Sequence, residues 1–345
     1  MRISQIRTEL APAAIAILSG FAVLFAGLAL TGYDAPAALA AMFSGGLGSA
    51  DAILSALLPR AIPLILVGLG IGLAFRAGAL NIGAEGQFQV GAIAATWAAL
   101  ALGAWPRLAA VPMVLATGLA AGAAWAAVPA ILRLRFGVLE VISTIVLNFV
   151  AEALVSWMVQ GPLQERTHIY PQSDPLPLSA RLPALSGTRL HLGLFIALLL
   201  AAALWVVERR TLFGFRLRAT GENPVATRTI GRVDTNRVFA IALLASGACA
   251  GLAGASEVSG TTFALFQNLS PGYGFTGIAV ALLARLDPIA TIATGLLFAA
   301  IEAGASAMQR EAGVPAIAAY MVEATITIIV LLGDAARRRR LAEAS

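Results

Sequence analysis

The chain has 345 residues, of which 59% are hydrophobic and 12% charged, with a formal net charge of +5. A soluble domain carries about a quarter charged residues, and a chain this apolar cannot cover itself with polar groups in water, so lipid is the solvent that suits it. All 23 basic residues are arginine. A Walker A loop needs a lysine on the β- and γ-phosphates, so any ATP that drives this protein is expected on another subunit. Cys249 is alone in an apolar run, which excludes an intrachain disulfide and reads as a small core residue. His168 and His191 fall near one polar loop, with no HExxH or CxxC, so neither a metal nor a cofactor is expected.

In chain order, segments approaching the ~20 apolar residues of a span run from Leu10 to Thr31, Ala52 to Phe75, Ala79 to Leu102 and Leu108 to Leu132. They continue from Val138 to Val159, His191 to Val207, Val238 to Val258, Gly272 to Ala284, Pro288 to Ala303 and Pro315 to Leu332. The expected fold is therefore all-α: a polytopic transmembrane helix bundle of about ten spans, in one transmembrane domain over residues 1–345. The first segment exceeds the ~7–15 residues of a signal-peptide core, so it reads as an uncleaved helix despite the cleavage-like run at Ala35–Ala40. The eighth is short and contains glycine, as in a broken helix. The second to fifth and seventh to tenth spans form two blocks offset by an odd number, a geometry that suits an inverted repeat.

Arginine placement sets the expected orientation. With the N-terminus in the cytoplasm, 17 arginines fall inside and 6 outside, so the positive-inside rule puts both termini in the cytoplasm. This topological use of the basic residues argues against nucleic acid as a partner. The run Arg337–Arg340 directly follows an apolar segment and reads as an anchor at an anionic lipid face. Residues 160–190 form a proline-rich extracytoplasmic loop, and residues 208–237 the most charged interior segment, on the cytoplasmic side.

Several positions carry polar groups where lipid would penalise them. Gly78–Gln87 holds Asn81, Glu85 and Gln87, with Gly83 and Gly86 permitting close backbone approach. In the fifth span Asn148 and Glu152 share one helix face at i, i+4. Asn148 suits either a contact between helices or a contact with solute. Glu257, Glu302 and Glu323 lie near or inside spans, where a proton-coupled carrier would place relays. In the charged segment, Asn223 before Pro224 is a cap followed by a first-turn proline, and a helix from Pro224 to Ile230 is expected to end at Gly231. Such a capped, arginine-rich helix suits a docking element for a motor subunit.

These stretches together resemble known sequences. Arg218-Ala-x-Gly-x-Asn-Pro-x-Ala226, with Gly231 following, is similar to the coupling segment of ABC permeases of the ribose and branched-chain amino acid superfamily. Leu80–Gln87, Glu140–Thr144 with Leu147-Asn148, and Gly274–Leu283 with Pro288 resemble signatures of its nucleoside branch, which works with a basic-membrane-protein-type binding lipoprotein. Leu139 and Ala284 depart from that pattern.

The resemblance implies a permease subunit of an ATP-driven importer in the bacterial inner membrane, with no nucleotide site of its own. Its implied partners are a cytoplasmic ABC ATPase, a second, non-identical permease subunit and an extracytoplasmic solute-binding lipoprotein. Asn81, Glu85, Gln87 and Asn148 are the implied solute pathway. Arg218, Gly221, Asn223, Pro224, Ala226 and Gly231 are the implied ATPase coupling residues. Simple sugars and riboflavin are the alternative solutes within the family, and a proton-coupled secondary carrier the alternative outside it.

Overall fold

The computed structural model describes the backbone of residues 3–343 and the side chains of residues 14–333. The Arg337–Arg340 run, Arg2 and Arg7 lie outside the described side chains. Among the described residues there is no named strand; the only β-type pairings are isolated bridges, Gln172 with Phe266 and Ala184 with His191. The chain packs as two compact units, residues 1–60 with 296–345 and residues 61–295.

The first unit contains α1 (Ile3–Leu30), α2 (Ala35–Leu47), the end of α12 (Pro288–Ala312) and α13 (Ala319–Glu343). Small residues set its contacts. Gly20 of α1 lies against Val322 and Ile326 of α13, and Gly45 and Gly46 of α2 lie against Ala307 and the Ala300 carbonyl of α12. Helix α2 was not expected. Asp34 caps it by accepting from the Ala37 N–H at 3.0 Å, and Pro36 sits in its first turn, which is a start signal obscured by the signal-peptide resemblance.

The second unit contains most of α3 (Leu58–Arg76), then α4 (Ala84–Ala101), α5 (Arg107–Phe136), α6 (Glu140–Val159) and α7 (Gly193–Arg210). It continues with α8 (Leu212–Glu222), α9 (Pro224–Thr229), α10 (Thr235–Glu257), α11 (Tyr273–Leu283) and the start of α12. Its centre is the crossing of α5 and α10. Gly118 and Gly122 face Gly247 and Gly251, each pair spaced four apart, and Gly91 of α4 meets Gly251 as well. With no hydrophobic effect between helices in lipid, such close backbone approach is what supplies packing energy. A Cβ on Gly251 would fall on the Gly118 carbonyl and within 2.9 Å of Gly122 Cα.

Among the described residues, six helical stretches are long and apolar enough to cross a bilayer: 52–76, 107–136, 140–159, 235–262, 288–312 and 316–333. Of the ten expected spans, the first, third, sixth and eighth are not among these six. The third begins at Ala84 rather than Ala79, because residues 77–83 are not helical. The eighth is the 11-residue α11, about 16 Å long and too short for a hydrocarbon core of about 30 Å. Gly251→Leu is expected to destabilise the bundle by about 1–3 kcal/mol through overpacking. Thermal unfolding in detergent should show it against Gly333→Leu, whose added side chain starts in open space.

Candidate functional site

The site grows from a break in the chain. α3 ends at Arg76, and residues 77–83 run on without helical structure before α4 starts. Asn81 in this stretch donates to Ser246 Oγ at 2.9 Å. Ser246 is eleven residues into α10, about 16 Å along its axis. The connector therefore enters the interior of the bundle, where bare backbone is tolerated only if protein satisfies it.

Amide side chains do so. Asn81 Nδ2 also donates to Gln87 Oε1 at 2.8 Å, Gln87 Nε2 donates back to Asn81 Oδ1 at 3.1 Å, and that oxygen accepts from the Gly83 N–H at 3.0 Å. Asn148 of α6 accepts from the Gly86 N–H at 2.9 Å and donates to the Ile82 carbonyl at 2.9 Å. It thereby caps the start of α4 from a neighbouring helix, satisfying a donor that the helix itself leaves free.

The start of α11 meets the start of α4 at this point. The Gly274 N–H donates to Glu85 Oε2 at 2.7 Å, and Ser270 Oγ accepts from the Tyr273 N–H at 3.0 Å. Gly274 packs directly on the Glu85 backbone, so a side chain there would separate the two helix starts. The Glu85 carboxylate, in the first turn of α4, is thus also the cap of α11, and both helix N-termini favour its negative charge.

Beside this junction lies a cavity of about 370 Å³ lined by Glu85, Gln89 and Glu152, by Val155, Ser156 and Phe275, and by the Gln267–Ser270 loop with Gly272. Its volume is in the range of small-molecule sites. It contains two carboxylates, three amides and two hydroxyls, and no cation among its lining residues. Gln267 Nε2 donates to Ser156 Oγ at 2.7 Å, tying the loop to α6.

Of the four pathway residues expected from sequence, Glu85 lines the cavity. Asn81, Gln87 and Asn148 are buried and hydrogen-bonded to protein around it. Gln89, Ser156, Gln267, Asn268 and Ser270 were not anticipated. Gln89 was legible as the residue four positions after Glu85 on the same helix face. The 267–270 loop is distant in sequence and carries no local signal.

Residues 53–331 match the family described as the branched-chain amino acid transport system, permease component. A glucose ABC transporter permease of Haloferax volcanii is 36% identical, covering 84% of this chain and 78% of the relative. A guanosine ABC transporter permease of Bacillus subtilis is 35% identical, covering 92% and 90%. A second guanosine ABC transporter permease of the same Bacillus is 27% identical, covering 71% and 79%. The chain belongs to this permease family. It is a multi-pass membrane protein and a permease subunit of an ABC transporter.

The permease's arginine-rich segment forms a second constellation. Arg76, at the end of α3, pairs with the buried Glu208 at 3.1 Å and donates to the Leu286 carbonyl at 2.7 Å. Arg285 and Leu286 are consecutive non-glycine residues at positive φ, 52° and 61°, a turn that costs energy and needs external support. Arg209 pairs with Asp287 at 2.8 Å, and Asp287 accepts from the Ile289 and Ala290 N–H groups. Burial would raise the Asp287 carboxyl, but these N–H groups and Arg209 outweigh it and hold it below the usual range.

The expected coupling residues lie here. Arg218 of α8 donates to the Glu208 carbonyl, and Gly221 packs on the Arg76 carbonyl with Gly78 beside it. Asn223 caps α9, accepting from the Ala226 N–H at 2.9 Å, with Pro224 in the first turn. The helix stops at Thr229, and the left-handed residue after it is Arg232 at φ 47°, so Gly231 is not a left-handed cap. Gly231 serves close approach instead: a Cβ there would meet the Thr227 carbonyl at 2.7 Å.

Burial pushes the Glu208 carboxyl up from 4.5 to about 7, with Arg76 opposing and Asp287 adding to the rise. Its folded value lies above its unfolded value, so its favourable contribution is complete below about pH 4.5 and is lost as pH rises through about 7. The unfolding temperature should therefore fall more between pH 5 and pH 8 in the wild type than in Glu208→Gln. Equal slopes would contradict the assignment.

Proposed function

We propose that this permease imports nucleosides across the bacterial cytoplasmic membrane, with the cavity beside Glu85 as part of the solute path. The observation that carries this reading is the cavity's lining. Carboxylates and amides complement ribose hydroxyls and the N–H edges of a base, and Phe275 offers an aromatic face. The guanosine permease covered over 92% of this chain supports the same solute class. The glucose relative supports a simple sugar as the second reading; uptake of radiolabelled guanosine against glucose separates the two.

In this reading the second permease subunit packs against α6. That helix exposes Ile142, Val146, Phe149 and Trp157, and Glu152 lies among them. An ionisable group is costly against lipid but suits a covered, wet interface. Two non-identical guanosine permeases in one Bacillus, both similar to this chain, favour a non-identical partner. A binding lipoprotein would deliver solute from outside. The arginine distribution favours both termini, α8 and α9 in the cytoplasm.

A separate ABC ATPase would receive α9, which buries none of its residues and exposes Val225, with Ile230 exposed directly after it. Closure of the ATPase would move α9 and α8, and Gly221 would pass that motion to Arg76–Gly78, the entry of the connector that leads into α4 and Glu85. Arg76 also holds the turn after α11, so both capped helix starts would move with the motor. ATP can bias the path only through contacts that differ between its states. In this reading Asn81, Gln87 and Asn148 frame the path, while Glu85 and Glu152 touch solute.

Two outcomes follow. Glu152→Gln should weaken guanosine binding to the purified permease by about tenfold, the size of one charge-assisted hydrogen bond; unchanged binding would remove Glu152 from the path. Gly221→Val should leave the ATPase bound while uptake falls at least about tenfold, since a Cβ there meets the Arg76 carbonyl. Normal uptake in a correctly inserted variant would break the coupling route.

A further inference from the structure

Arg76, Arg209 and Arg218 line a recess of about 330 Å³ together with Glu208. Three guanidinium groups thus face one carboxylate, and that carboxylate is buried against Arg76. Arg209 reaches Asp287, while Arg218 has no carboxylate partner among the described ion pairs. The recess therefore keeps an excess of positive charge and several N–H donors in forked geometry, which match phosphate oxygens.

The neighbours of the recess indicate what carries the phosphate. α7, which ends in Arg209 and Arg210, exposes Phe195, Leu199 and Val206 along its length, and α8 exposes Leu212 and Phe215. Trp205 lies under the Arg209 guanidinium, 5.7 Å from ring centroid to Cζ. Apolar side chains beside an aromatic and a row of arginines mark the level of lipid headgroups. We propose that this recess binds the headgroup phosphate of an anionic glycerophospholipid, with the acyl chains along the exposed face of α7. This site is separate from the solute cavity and does not depend on which solute is carried.

The test uses the full-length permease in detergent, titrated with phosphatidylglycerol or phosphatidylcholine and read by native mass spectrometry. The wild type should retain phosphatidylglycerol about fivefold or more over phosphatidylcholine. Arg209→Ala should lose about fivefold in that preference, the scale of one arginine near an anionic surface, and Arg209→Lys should keep most of it. Arg210→Ala removes the same charge from the same helix end, outside the recess lining, and should retain the wild-type preference. An equal loss in Arg210→Ala would reduce the effect to general surface charge and overturn the site. Absence of any preference in the wild type would overturn it as well. Displacement of the lipid by millimolar inorganic phosphate would assign the recess to a free anion and end the lipid assignment.

Discussion

Peptide groups inside a membrane have no water to bond, and much of this permease follows from how one stretch of chain meets that constraint. Residues 77–83 cross part of the bundle without helical structure. Their polar groups, and the free N–H groups at the starts of α4 and α11, are satisfied by Asn81, Gln87, Ser246, Asn148, Ser270 and Glu85. An unsatisfied peptide group there would cost several kcal/mol, roughly the stability of a small domain. A leucine at any of these positions would be the cheaper side chain to insert and the more costly one to live with.

The same constraint generates the cavity. Helices that start inside the bundle leave backbone donors and positive dipole ends pointing into it. A carboxylate is the natural complement, and Glu85 supplies it from one broken helix to the other. Once the two helix starts meet end to end, the space beside them is lined by whatever α6 and the 267–270 loop present, here Glu152, Ser156 and a run of amides. Irregular backbone and solute-compatible polarity are thus two consequences of one geometry.

The arginine-rich end uses charge to fix elements that apolar packing leaves loose. α9 buries no residue, so its placement relies on the Asn223 cap, on Thr227 donating to the Ala219 carbonyl and on Arg228 reaching Thr235. Glu208 is the centre of this region. Buried beside Arg76 and near Asp287, it is a group whose charge costs desolvation energy and whose neutral form would release its ion pair with Arg76.

Apolar run lengths by themselves determined that the chain lives in lipid, that it is all-helical and roughly where it turns, because a span is a local property of composition. Capping chemistry is equally local, and Asn223 with Pro224 placed the start of α9 to the residue. The sequence could show that Asn81, Glu85, Gln87 and Asn148 needed partners, since polar groups in apolar surroundings always do. Only the tertiary structure decided that Asn81 bonds both Gln87 and Ser246, that Asn148 caps α4, and that Glu85 opens onto a cavity it shares with the 267–270 loop far along the chain. Such pairings depend on which helices cross and at what depth, and no spacing along one segment encodes that. The same holds for α11, whose composition resembles a span but whose length is set by its meeting α4 inside the bundle.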